Sequence, residues 1–199
     1  YTIGERNAQC QIIKDILEYL DNSPDYSDGL WQGIIPSNNS FPHANPWHYS
    51  EEAAKKKVYT PTAALAGFVI YFGERESSLY KRAESIASEA VQYYLSSPLL
   101  ECNYESLCFI RLLQYCTAAD INHLFDREQF EHKLRLQVRS LISQNKEGLI
   151  RKNWFSENKC RPSQFFHSSE SIFYKDNKEI ADQERRYILQ STNLEGIWD

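Results

Sequence analysis

Residues 77–95 read SSLYKRAESIASEAVQYYL, and this stretch decides the fold. Leu79, Ala83, Ile86, Ala90 and Tyr94 recur every three or four positions, the spacing that lines one face of an α-helix. The run stops where Ser97 precedes Pro98, because the residue before a proline is pushed out of helical geometry. Upstream, Thr60-Pro61 reads as a helix start, with Thr as N-cap and Pro pre-set for the first helical position of a helix from Pro61 to Phe72. Further back, Ile12, Ile13, Ile16, Leu17 and Leu20 stripe a first helix from about Glu5 to Leu20. Downstream, Tyr104 to Ala118 is apolar nearly all round and is expected to be central. Asp126 with Gln129 resembles a capping box and opens a helix through Phe130, Leu134, Val138, Leu141 and Ile142. A last helix is expected from about Lys178 to Gln190. No segment alternates with period two, so strands should contribute little. The class is all-α, and the short breaks imply antiparallel helix hairpins in a bundle, a solenoid or a closed toroid.

Composition narrows the partners. The 199 residues, 42% hydrophobic and 14% aromatic, can bury one substantial core, so a single domain spanning 1–199 is expected. A chain that opens on Tyr1 reads as trimmed at its N-terminus. Net charge is -5, and the densest basic cluster is Lys55-Lys56-Lys57, so a nucleic-acid partner is not expected. The longest apolar run, Thr62 to Phe72, falls short of the roughly 20 residues that span a bilayer, so no transmembrane segment is expected. Cys10, Cys102, Cys108, Cys116 and Cys160 make an odd count in a chain that needs no staples, which favours buried thiols and a cytoplasmic location.

Between the first two helices, residues 21–47 hold four prolines, two glycines and a cluster of Asn and Ser, yet also Trp31, Phe41 and Trp47. A loop so rich in aromatics must pack on something. Three helix endings share an acid before a glycine: Leu17-Glu18-Tyr19-Leu20 leads to Asp28-Gly29-Leu30-Trp31, Leu141-Ile142 leads to Glu147-Gly148-Leu149, and Ile188-Leu189-Gln190 leads to Glu195-Gly196-Ile197-Trp198. Physically this reads as a helix stop, Gly taking the left-handed conformation and the following Trp or Leu folding back.

These endings resemble the α/α-toroid superfamily of terpene cyclases and protein prenyltransferases, whose repeats end in a Gln followed by an acid-Gly-x-Trp turn. Gln190 to Trp198 is the best match, and the passage from Ile35-Pro36 through Pro46-Trp47 to Thr60-Pro61-Thr62-Ala63-Ala64-Leu65-Ala66-Gly67 is similar to bacterial members of unassigned function. About seven helices, against twelve in a full toroid, imply a partial or open one.

The superfamily's chemistry is not visible here. The Asp-x-Asp-Asp run of alkene-protonating cyclases is absent, and the nearest approach to an Asp-Asp-x-x-Asp metal cluster is Asp21, Asp25 and Asp28, which read as turn residues. No Asp-x-Cys pair suggests a prenyltransferase zinc, and Cys108 and Cys116 read as small buried hydrophobes. His43 and His48 bracket Ala44-Asn45-Pro46-Trp47, but without a third ligand no metal or other cofactor is expected. No Gly-x-Ser-x-Gly elbow and no glycine-rich phosphate cradle occurs, so no catalytic residue is assigned.

In a toroid the connecting loops rim a central cavity, which makes Trp31, Phe41, His43, Trp47, His48, Tyr49, Thr60 and Thr62 the candidate ligand-binding residues. Three readings stay open. The first is a domain without catalytic motifs that binds a small, partly apolar or sugar-like ligand, or a protein partner, at that rim. The second is an enzyme of the superfamily, a cyclase or lyase on a prenyl or sugar substrate, with Asp25, Asp28 or His43 as acid or base. The third is a structural helical-repeat scaffold.

Overall fold

The computed structural model describes residues 7–55, 58–101, 103–143 and 160–190. Eight α-helices occur among them: α1 Gln11–Asn22, α2 Glu51–Ala54, α3 Thr62–Phe72, α4 Ser78–Ser96, α5 Asn103–Ala118, α6 Arg127–Ser143, α7 Pro162–Phe165 and α8 Tyr174–Gln190. Two strands, β1 Tyr26–Ser27 and β2 Leu30–Trp31, pair antiparallel. The molecule is mostly helical, as the periodicity requires. No described helix is long and apolar enough to cross a membrane.

The backbone packs as two compact units, Tyr1–Pro98 with Leu107–Arg127, and Leu99–Ser106 with Glu128–Asp199. In the first unit, the links after α3 are short enough that α3 and α4 lie side by side as an antiparallel pair. Ser77 caps α4, its hydroxyl accepting from the Tyr80 amide at 3.1 Å, as Ser does at an N-cap. The predicted stripe is the buried face: Leu79, Ala83, Ile86, Ala90 and Tyr94 are all buried. From Leu107 on, α5 lies against α3 so closely that a Cβ on Gly67 would stand 3.0 Å from the Leu112 Cα. Tyr94 stacks on Phe109 with ring centroids 4.4 Å apart. Ile13 of α1 joins Phe72 and Tyr115 in one cluster, which fastens the first helix to α3 and α5. Each such fully buried large side chain contributes about 1.5–3 kcal/mol.

Two expectations about local structure are corrected. Thr60 is not the cap of α3: the helix begins at Thr62, Pro61 holds the cap position, and the Thr62 hydroxyl instead donates to the Trp31 carbonyl at 2.8 Å. Gly29 does not stop α1, which ends at Asn22. Asp28 and Gly29, at φ 52° and 79°, form the two-residue turn between β1 and β2, a role that Asp-Gly serves because both positions need positive φ. Trp31 nevertheless folds back, its indole N–H donating to the Leu20 carbonyl at 3.0 Å and satisfying an orphan acceptor of the last turn of α1. The glycines at 148 and 196 lie outside the described residues.

In the second unit α6 buries Phe130, Leu134, Gln137, Val138, Leu141 and Ile142. Gln137, fully buried, pairs reciprocally with the backbone of Leu100: its Oε1 accepts from the amide and its Nε2 donates to the carbonyl, both at 2.6 Å. Arg135 donates from Nε and a terminal nitrogen to one Asp176 oxygen at 2.8 Å, joining α6 to α8. Helix α8 is interrupted at Asn177, whose φ is -124° and whose side-chain amide donates to the Phe173 carbonyl.

Candidate functional site

The loop between β2 and α3 is tied by two asparagines. Asn38 Nδ2 donates to the carbonyls of Gly33 and Trp47, at 3.0 and 2.8 Å. Asn39 pairs with Tyr49 as a strand would, Nδ2 donating to its carbonyl at 3.0 Å and Oδ1 accepting from its amide at 2.9 Å. Residues 40–48 therefore leave and return through a closed neck. Just beyond it Ser50 caps α2, accepting from the Ala53 amide.

This frame distributes the eight expected rim residues instead of gathering them. Trp31 and Thr62 are buried and bonded to each other through the Trp31 carbonyl, so they hold the hairpin to α3. Trp47 is half-buried against Gly33, where an added Cβ would stand 2.9 Å from its ring and 3.3 Å from the Thr60 carbonyl. Phe41 is 68% exposed. His43 and His48 are exposed and face each other, His43 Nε2 lying 3.2 Å from His48 Nδ1. Tyr49, half-buried, lines a pocket.

That pocket, about 610 Å³, lies between the hairpin and α2 and is lined by Asp28, Leu30, Gln32, Tyr49, Glu51, Ala54 and Lys55. Its volume falls within the range of small-molecule sites. Of the three acids that the sequence reads as turn residues, two are tied to neighbouring side chains. Asp21 pairs with Arg82 at 3.4 Å, and Asp25 accepts from the Tyr19 hydroxyl at 3.1 Å. Only Asp28, at the turn, opens on the pocket. Among the described residues no three of His, Cys, Asp and Glu converge as metal ligands.

A second cleft, about 570 Å³, lies in the other unit beside α7 and α8. Its wall includes Glu184, a buried carboxylate that accepts from the Ser163 amide at 2.9 Å and hydroxyl at 2.6 Å. Beside it Asp182 accepts from Lys178 at 2.6 Å and from the Tyr174 hydroxyl at 3.2 Å. The Lys178 hydrogen bond holds the Asp182 carboxyl below its ordinary range, and the same bond raises Lys178. Sequence reading missed this cleft, because α7 is a single turn without periodicity and its carboxylates look like ordinary helix-surface charges. It also missed Asn38 and Asn39, which composition marks only as loop residues.

Compared with family models, curated proteins and solved structures, the chain matches none.

Proposed function

We propose that the chain is a binding module whose pocket beside Tyr49 takes a small sugar-like ligand. The observation that carries this reading is the lining: one half-buried aromatic ring next to Gln32, Asp28, Glu51 and Lys55, over the apolar floor of Leu30 and Ala54. A sugar offers hydroxyls for carboxylate and amide oxygens to accept from, and a C–H face for a ring to cover. A prenyl chain would bury only two small apolar liners, too little area to offset the desolvation of three charged ones. The antiparallel pair of α3 and α4, with α5 packed on α3, supports placing this module in a partial α/α toroid.

The test is a thermal-shift and calorimetric screen of mono- and disaccharides against the protein and its Tyr49→Ala and Gln32→Ala variants. A ligand present at 100 times its Kd adds about 2.7 kcal/mol of apparent stability, which raises the melting temperature measurably. The expected result is a shift with at least one saccharide that Tyr49→Ala abolishes. A screen without any shift, or a shift that both variants retain, removes this reading.

One observation favours an enzyme as the second reading: Asp28 and Glu51 line the same pocket, and two carboxylates across one site are the equipment of glycoside chemistry. Turnover of an aryl glycoside that disappears in Asp28→Asn while binding persists would select it.

A further inference from the structure

We infer that His43 and His48 form a two-imidazole chelate for a zinc-, nickel- or copper-type divalent cation. His43 Nδ1 lies 2.7 Å from the Phe41 carbonyl, which can only accept, so Nδ1 carries the ring proton and Nε2 presents its lone pair. A carbonyl behind the opposite ring nitrogen is how metal-binding histidines are held and oriented. The bare Nε2 is aimed at His48 Nδ1, 3.2 Å away.

The rings lie at 17° to each other with centroids 5.4 Å apart. That separation exceeds the 3.2 Å between nitrogens by about two ring radii, so the imidazoles meet edge to edge in nearly one plane. Two nitrogens on one tetrahedral zinc, each at 2.0–2.1 Å, stand about 3.3 Å apart. The pair is thus already at chelating distance, and the rings need only tilt until both lone pairs converge. His48 is the ring able to tilt, since it is exposed and its Nε2 has no hydrogen bond among the described residues. Its ring proton moves from Nδ1 to the water-facing Nε2, which frees the Nδ1 lone pair for the ion. The neck closed by Asn38 and Asn39 keeps the two loop arms together before any ion arrives. Water fills the remaining positions, and imidazole ligands select zinc, nickel and copper over magnesium and calcium.

Nickel chloride is the probe, titrated by calorimetry and by imidazole NMR on the full chain. The expected result is one equivalent bound, with the His43 and His48 signals broadening before those of His123, His132 and His167. His43→Ala and His48→Ala should each weaken binding about tenfold or more, with the helical circular dichroism unchanged because both side chains are exposed. Tyr49→Ala should bind nickel as the parent does, which separates this site from the sugar pocket. Absence of binding, prior broadening at the other histidines, or undiminished affinity in His43→Ala each overturns the inference.

Discussion

At the scale of single residues, the buried thiol of Cys116 carries a pH dependence. Burial pushes it up to about 12 from its ordinary 9.0, against a smaller opposing pull from the Arg127 guanidinium. An acid whose folded pKa is raised favours folding fully below its unfolded value and loses that contribution as pH climbs through the folded one. Tyr80, also raised by burial, acts in the same direction. The urea midpoint should therefore fall between pH 8.5 and pH 11, and Cys116→Ala should flatten the fall. A slope identical in parent and variant would show that the Cys116 thiol titrates alike in the folded and unfolded chains. Residue identities in the core were legible in the sequence because apolar spacing names them. Gln137 was not, although it occupies a position of the Leu134–Val138–Leu141 stripe: a polar residue inside an apolar period marks a buried hydrogen-bonding task, here the backbone of Leu100.

At the scale of elements, the contact of α3 with α5 rests on the missing side chain of Gly67. A methyl there would meet the Leu112 Cα at 3.0 Å and the Tyr115 ring at 3.1 Å, neither of which yields easily. Gly67→Ala should destabilise by about 1–3 kcal/mol, despite alanine's better helix propensity, as overpacked cores do. Denaturant unfolding checks this, and an unchanged or raised midpoint would mean that α5 can withdraw without loss. Helix α4 was legible at nearly its observed bounds, expected from Ser77 to Leu95 and running Ser78–Ser96, whereas α1, expected from about Glu5, begins at Gln11. The last helix was expected to begin at Lys178, one residue past the interruption at Asn177, because periodicity restarts there while the helix itself begins at Tyr174. The hairpin was misread because Asp-Gly serves a helix stop and a mirror-type turn equally well, and only the six residues between Asn22 and Gly29 tell them apart. The site was legible as a region but not as a set. Composition shows that a loop with four rings must pack, but not which rings turn inward, since that depends on the side-chain amides that close its neck.

At the scale of the molecule, net charge -5 and a pI near 5.6 carry the expectation that the chain is not drawn to a phosphate backbone by charge. No electrophoretic shift should appear with duplex DNA or single-stranded RNA at 50 mM salt, where electrostatic binding is strongest, and a retarded band there would contradict it. The asparagine neck has one more consequence, which concerns time. Asparagine is a thermolabile residue, and hydrolysis of its amide leaves a carboxylate in place of the nitrogen donor. At Asn39 that exchange would set a negative oxygen against the Tyr49 carbonyl, where Nδ2 now donates at 3.0 Å. A bond would become a repulsion, leaving Asn38 alone to hold the arm that carries His43 and His48. The loop's shape thus has a chemical lifetime of its own, set by one amide.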